Sequence, residues 1–481
     1  MNKTLDYNDV FDSLHEECGV FGIYGSEDAA AHCALGLHAL QHRGQEAAGI
    51  ISTNHQNFFF HHDEGHVGDI FNNSNIISKL SGNTAIGHVR YSTAGKKHDT
   101  NIQPIFAELE FGGIAVAHNG NLTNANTIKQ ELIAKGSIFK SSMDTEIILH
   151  LIAQSKLNTI SDRIIDALKQ IKGAYSVLLM TNDSLYAIRD PNGVRPLSIG
   201  KLNESYIVAS ESCAFDIIGA KLIRDVEPGE MVVINQNGFK TYKPFAKQLN
   251  KFCIFEYIYF ARPDSIINNN YVYDVRKNIG KYLAQENPID ADVIVPVPDS
   301  GVPSAMGYAK ESNINFEFGI IRNHYVGRTF IEPTDQVRHL GVKLKHNANK
   351  SVLQGKRVIL VDDSIVRGTT SKKIVSMVRA AGAKEVHMKI SSPPTTHSCF
   401  YGVDTPNRSK LIAASHSVDE IAKLIGVDSL SFISLDGLYK SIGEAKRNNE
   451  EPQFCDACFS GQYPIELVDE SNQNLPLFNN L

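Results

Sequence analysis

Arg357-Val-Ile-Leu-Val-Asp-Asp-Ser-Ile-Val-Arg-Gly-Thr-Thr370 reads as an apolar strand that delivers two acids into a turn and then opens a helix. Behind it, Ile374, Val375, Met377, Val378 and Ala381 form one apolar face, and Gly382 stands where a helix would be capped. Free backbone N–H groups at a helix N-terminus, with the hydroxyls of Thr369 and Thr370, offer a monophosphate site. Asp362 and Asp363 suit ribose hydroxyls or a hydrated Mg²⁺, which meets protein through one or two carboxylates. No Gly-Lys-Ser/Thr follows at Walker spacing, so this is not a nucleoside triphosphatase loop. Upstream, Asp292-Val-Ile-Val-Pro-Val-Pro298 leads into Asp299-Ser300-Gly301 and a helix-like run, Val302–Lys310. Two strand–loop–helix units predict an α/β domain with a parallel sheet, its ligands held at the carboxyl ends of the strands.

The first half has a different rhythm. Short β-like runs at Ala85–Val89, Ile114–His118, Tyr175–Met180, Leu185–Ile188, Ser205–Ala209 and Met231–Ile234 are separated by Gly, Asn, Asp and Pro. Helical periodicity interrupts at Ala29–Leu40 and near Thr145–Gln154. Many strands with few helices predict two packed sheets under helical cover, an α+β layered domain. At its start, Glu17-Cys18-Gly-Val-Phe-Gly-Ile-Tyr-Gly25 is a glycine-punctuated apolar strand with a thiol at its leading edge. Such a cysteine is either a buried small hydrophobe or a nucleophile, and this stretch alone does not choose.

A chain of 481 residues accommodates two to four domains. The net charge of −6 argues against general nucleic-acid binding while leaving room for a locally basic phosphate site. No apolar run reaches the roughly 18–20 residues that span a bilayer. Met1–Glu17 is acidic, with no apolar core, so it is not a secretory signal and a cytoplasmic location is expected. Arg322–Lys345 sets five cations, Arg322, Arg328, Arg338, Lys343 and Lys345, against Glu332 and Asp335. With Gly327 and Gly341 as pivots it reads as a lid beside the phosphate loop, or as solvated surface.

Seven cysteines are too few for a disulfide scaffold, and reduced thiols fit the cytosol. Cys33 and Cys213 read as packing residues. Cys455-Asp-Ala-Cys458 alone is compatible with zinc, redox chemistry or chance. Together with Cys253 and Cys399 it supplies four soft ligands that suit Zn²⁺ or an iron–sulfur cluster, and spacing does not choose between them.

Several of these motifs resemble known families. The 357–370 stretch resembles the phosphoribosyl pyrophosphate loop of type I phosphoribosyltransferases. That resemblance implies 5′-phosphate binding by Arg367, Gly368, Thr369 and Thr370, and ribose binding by Asp362 and Asp363. Asp299-Ser300-Gly301 matches the pyrophosphate loop, with Ser300 near the metal, so Ser300, Asp362 and Asp363 would serve Mg²⁺. Arg328 and Lys345 would close over the substrate, although His324 stands where Lys or Arg is more usual.

In the first half, Cys18-Gly-Val-Phe-Gly, His42-Arg-Gly-Gln-Glu46, Gly87-His-Val-Arg90-Tyr-Ser-Thr93, His118-Asn-Gly-Asn-Leu122 and Ser142-Met-Asp144-Thr-Glu146 resemble class II (N-terminal nucleophile) glutamine amidotransferase domains. The resemblance implies the αββα fold and Cys18 as nucleophile after removal of a propeptide, Met1–Glu17. It also implies Asn119 and Gly120 as oxyanion donors, with Arg90 and Asp144 gripping the glutamine α-carboxylate and α-ammonium. The thiol contexts are similar to those of the iron–sulfur branch of the glutamine phosphoribosylpyrophosphate amidotransferases.

That branch implies one [4Fe–4S] cluster on Cys253, Cys399, Cys455 and Cys458, one Mg²⁺ per subunit, a homotetramer and feedback inhibition by purine nucleotides. It further implies conversion of glutamine and phosphoribosyl pyrophosphate to phosphoribosylamine in the first step of purine synthesis. The expected layout is a propeptide 1–17, an amidotransferase domain 18–245, a phosphoribosyltransferase domain 246–445 and a tail 446–481. A glutamine-dependent transferase with another acceptor would share the first half, and a non-catalytic nucleotide sensor only the second.

Overall fold

The computed structural model describes residues 15–16, 18–91, 99–323 and 346–473. Most of the expected propeptide, Ser92 and Thr93, and the lid residues His324, Arg328, Arg338, Lys343 and Lys345 lie outside those residues.

The first domain stacks two antiparallel sheets. One has seven strands in the order Lys221–Asp225, Ser198–Leu202, Ser205–Ala209, Gly19–Tyr24, Thr84–Arg90, Ala47–Thr53 and Phe58–Glu64. The other has six, ordered Gly238–Tyr242, Met231–Asn235, Leu185–Arg189, Gly173–Met180, Gly112–Leu122 and Ile105–Leu109. Inward-facing Val20, Ile51, Ile86, Ala117, Leu178 and Met180 fill the space between them. Helix Ala29–Ala39 covers the outer face of the first sheet by burying Cys33 and Leu37 against Phe21 and Val89. Gly36 permits that approach, because a Cβ there would overlap the Phe21 ring. Helices Ala125–Ala134, Thr145–Gln154 and Ile160–Leu168 cover the second sheet. The result is four layers, helix–sheet–sheet–helix.

The second domain is built on a parallel sheet, Val293–Pro296, Arg357–Asp362, Glu385–Ile390 and Ser429–Phe432. Its central strands read as continuous apolar runs because helices bury both faces. Val302–Ser312 and Val272–Glu286 cross each other on one face, where Gly280 and Gly307 let the backbones meet. Thr369–Ala380 and Val418–Ile425 cover the other. The latter starts in a reciprocal Ser417/Glu420 capping box and ends at Gly426 in the left-handed region.

The two domains share a core. Ala174 and Val194 of the first belong to the same buried cluster as Phe252, Tyr257 and Tyr401 of the second. Short strand His15–Glu16 pairs with Val403–Asp404, carrying the chain that precedes Cys18 across to the second domain. The tail forms two short helices, Ala457–Ser460 and Val468–Gln473.

Candidate active sites

Cys18 sits at the start of strand Gly19–Tyr24 and is buried. Arg43 holds it from both sides: Cys18 N–H donates to the Arg43 carbonyl at 3.1 Å, and Arg43 Nε donates to the Cys18 carbonyl at 3.3 Å. The turn bearing Arg43 can lie this close because Gly44 has no Cβ, which would come within 2.6 Å of the Arg90 backbone. Cys18 has φ +113°, a conformation that costs a side-chain-bearing residue of order 1–3 kcal/mol.

A cavity of about 420 Å³ opens beside the thiol, within the usual range for small-molecule sites. Cys18, Arg90, Gly120 and Asp144 all line it. Asn119 lies behind Gly120, fully buried, and neither side-chain amide atom has a partner among the described residues. An unpaired buried amide costs about 1–3 kcal/mol and calls for a partner. Asp144 accepts from Leu122 N–H at 2.9 Å and faces His118 Nδ1 at 3.4 Å. Burial pushes its carboxyl up, but His118 and the backbone N–H groups outweigh that and leave it below the usual aspartate range. His88, buried beside Arg90, is pushed down to about 3, so it is neutral at physiological pH and donates to the His118 carbonyl.

The second site lies at the carboxyl ends of the parallel strands. Strand Arg357–Asp362 ends in Asp362, and Asp363 begins the turn. Ser300 and Ser364 hydroxyls each donate to Asp363 at 2.6 Å, while Asp363 N–H donates to Asp362 at 2.9 Å. Gly301 brings the Asp299–Ser300 loop against this strand, since a Cβ there would strike the Val361 carbonyl oxygen. Asp299 is ion-paired with Arg322, the last residue of strand Ile320–Arg322 and the first of the expected lid. Gly368, at φ +80°, caps the twelve-residue helix Thr369–Ala380, so the N–H groups of Thr369 and Thr370 open onto the turn. The half-buried Tyr259 has its hydroxyl pushed above the ordinary range by desolvation and by the charges of Asp363 and Asp362.

Comparison with known proteins assigns both halves. The glutamine amidotransferase domain family matches residues 88–216, and the phosphoribosyl transferase domain family matches residues 265–391. The chain is 56% identical to the amidophosphoribosyltransferase of Rhizobium etli over 470 residues, covering 96% of this chain and 95% of that one. The chain belongs to the amidophosphoribosyltransferase family. It is also 51% identical to the amidophosphoribosyltransferase of Bacillus subtilis over 460 residues, 95% of this chain and 96% of that one. The solved B. subtilis glutamine phosphoribosylpyrophosphate amidotransferase, complexed with ADP and GMP, superposes with a TM-score of 0.89 at 50% identity, over 94% of this chain and 98% of that one.

Beyond the two family domains, four thiols meet. Cys253, Cys399, Cys455 and Cys458 line one small apolar cavity with Phe255, Tyr401 and Tyr463. Cys253 and Cys455 lie in a parallel bridge, and the Cys458 carbonyl accepts from Thr396 N–H and His397 N–H. Asp456, between the paired cysteines, is fully buried and gripped by Arg447 at 2.6 and 3.1 Å. Burial pushes the Cys253 thiol up to about 12 and Cys455 and Cys458 well above the ordinary range. Cys33 and Cys213 are buried in the first domain, away from this centre.

Some wall residues carry no mark in the sequence. Phe400, Leu467, Asp469 and Glu470 line the Cys18 cavity from the second domain and the tail. Asp469 accepts from Asn126 N–H and from Thr127 N–H and Oγ1, capping helix Ala125–Ala134 from 342–343 positions away. His118 falls within a motif read from the sequence, yet its place beside Asp144 emerges only from the fold.

Proposed function

We propose that this amidophosphoribosyltransferase family member converts glutamine, phosphoribosyl pyrophosphate and water to phosphoribosylamine, glutamate and pyrophosphate, the first step of de novo purine synthesis. The observation that carries this reading is one chain holding a cavity-facing thiol beside Gly120 and, at a separate site, paired acids in front of a glycine-capped helix.

In the first half-reaction the Cys18 thiolate attacks the glutamine side-chain carbonyl. Asn119 Nδ2 and Gly120 N–H receive the negative charge that develops on oxygen. Collapse expels ammonia and leaves a thioester on Cys18, which water hydrolyses to glutamate. Arg90 and Asp144, on the same cavity, are placed to receive the α-carboxylate and α-ammonium. Asn119→Ala should lower glutamine turnover about a hundredfold with little change in KM, as measured by steady-state glutaminase assay.

In the second half-reaction ammonia displaces pyrophosphate from C1 of the ribose. Arg367, Gly368, Thr369 and Thr370 hold the 5′-phosphate. Asp299 and Ser300 face the pyrophosphate, and the cations Arg328 and Lys345 would answer its negative charge. Ser300, Asp362 and Asp363 would hold Mg²⁺, which supplies charge neutralisation to the departing pyrophosphate. The donor set suits a hydrated Mg²⁺: two adjacent carboxylates and a hydroxyl already oriented by hydrogen bonds. Asp363→Asn should lower synthesis about a hundredfold with glutamine and with ammonia alike, because the site loses a carboxylate charge and one of the two oxygens that accept from Ser300 and Ser364. A selective loss with glutamine alone would count against this placement.

Two further features complete the reading. Removal of Met1–Glu17 would turn the Cys18 N–H that faces the Arg43 carbonyl into an α-amine held as a proton carrier, and would lift the constraint recorded in φ +113°. Intact mass and N-terminal sequencing of the active enzyme check it; an active chain that still begins at Met1 refutes it. Cys253, Cys399, Cys455 and Cys458 would hold a [4Fe–4S] cluster in a structural role. Two buried and two half-buried thiols around one apolar cavity are costly as bare thiolates and suit a metal centre. Iron and sulfide in about equal amounts, near four of each per chain, are expected in anaerobically purified protein. Zinc in their place would overturn the cluster.

Purine nucleotides as feedback inhibitors fit the ADP and GMP bound to the B. subtilis relative. A homotetramer and a cytoplasmic location complete the proposal, and no helix among the described residues is long and apolar enough to cross a membrane. Glutamine-dependent release of pyrophosphate in the presence of Mg²⁺ tests the whole reading, and its absence sinks it.

A further inference from the structure

Gly120 is pinned from two sides. It has φ +143°, and a Cβ on it would collide with the Ala174 carbonyl oxygen on the neighbouring strand. On its other side lies Gly402 of the second domain, itself at φ +95°. A Cβ on Gly402 would come within 2.9 Å of Gly120 Cα and 3.0 Å of its carbonyl carbon. One residue further, the Asn121 side-chain amide donates across the domains to the Phe400 carbonyl at 2.9 Å. Phe400 also lines the Cys18 cavity, whereas Gly402 lies outside its wall.

This loop is held at both ends. Cys399 precedes it, with its N–H bonded to Thr405 Oγ1 at 2.7 Å, and the Tyr401 hydroxyl donates to the Ile465 carbonyl at 2.6 Å. At its far end Asp404 lies within electrostatic reach of Arg367 in the phosphate loop. A five-residue segment, Phe400–Asp404, therefore runs from contact with the oxyanion strand toward the charge of Arg367.

We infer that Phe400–Gly402 of the second domain is a positioning element for the Gly120 N–H. Donors in an oxyanion hole act only when fixed at the position where charge develops, so a small displacement costs turnover rather than binding. The first domain supplies the donors, and the second domain fixes where they point. The inference rests on the glutaminase reading of Cys18.

The test uses Gly402→Ala and Asn121→Ala in the full-length enzyme. Glutamine hydrolysis is measured at saturating phosphoribosyl pyrophosphate, together with the rate at which iodoacetamide alkylates Cys18, a reaction that needs no oxyanion hole. In each variant kcat should fall at least about tenfold, with KM for glutamine and the alkylation rate within about twofold of the parent. Asn121→Gln, which keeps an amide donor, should recover most of the lost kcat. Unchanged kcat in both alanine variants overturns the inference, as does a parallel fall in kcat, glutamine affinity and alkylation. Cys18→Ala run alongside separates the two levels: retained glutamine hydrolysis there would defeat the glutaminase reading itself.

Discussion

Cys18→Ala is expected to abolish synthesis from glutamine and to leave synthesis from free ammonia close to that of the parent enzyme. Among the described residues lining the cavity, Cys18 is the only cysteine. Loss of a nucleophile that acts with its oxyanion donors as a unit removes most of the catalytic gain, so glutamine-dependent turnover should fall by at least about 10⁴-fold. Ammonia added to the solution bypasses this half of the molecule. The acids and hydroxyls proposed to bind the second substrate lie on a different sheet, anchored by Ser300–Asp363 and by the Gly368 cap. The measurement is pyrophosphate release with each nitrogen source at saturating phosphoribosyl pyrophosphate. Equal loss with both would make Cys18 a structural residue and would remove the basis for two separate half-reactions.

The legible parts of the sequence are those whose chemistry and conformation are local. The run Arg357–Thr370 contains its own strand, turn and helix start, and the strand extends one residue beyond the apolar run because Asp362 still pairs with Ile390. Strand Ser205–Ala209 and helix Thr145–Gln154 fall where alternation and periodicity place them. Helix Val272–Glu286 is harder to see. Its buried stripe of Val275, Ile279 and Leu283 is narrow and includes Arg276, a cation tolerated inside only because the Tyr257 and Ala261 carbonyls accept from it. Those partners are not local. The same holds for the cavity wall: Phe400 and Asp469 have no pattern of their own, and they matter because the domains dock. Gly402 shows the difference well. In sequence it is one glycine near a cysteine, and in the fold it is the contact that lets Phe400–Gly402 lie against Gly120.

Docking itself rests on a buried ionic network, so Arg43→Met should cost more stability than any other single change considered. Arg43 is fully buried and reaches Glu211 of its own domain and Glu256 of the second, donating to Glu256 at 2.7 and 3.1 Å. Glu256 is shared with Arg195 at 3.1 Å. Glu211 also accepts from the Ser265 hydroxyl at 2.6 Å and from Arg262 N–H at 2.8 Å, both in the second domain. Removing the guanidinium takes a two-pronged cation from Glu256 and leaves Glu211 to His42, 2.7 Å away, a change worth about 3–5 kcal/mol. Lysine should not restore it, because a single ammonium cannot span two carboxylates and the Cys18 carbonyl together.

The pH dependence identifies the cause. Burial pushes the Glu211 carboxyl up, but His42 and Arg43 outweigh it and hold the group far below the ordinary glutamate value. A carboxyl depressed in the folded state contributes stability that is fully present above its unfolded value, near 4.3, and is lost as pH falls from there toward the folded value. Thermal unfolding scans of parent and Arg43→Met should therefore differ by about 10 °C near pH 7, and the gap should narrow below about pH 4 as the parent's carboxylates take up protons. A gap that persists unchanged into acid would mean that Arg43 contributes through packing alone. A gap of less than about 2 °C at neutral pH would mean that the network does not hold the domains together.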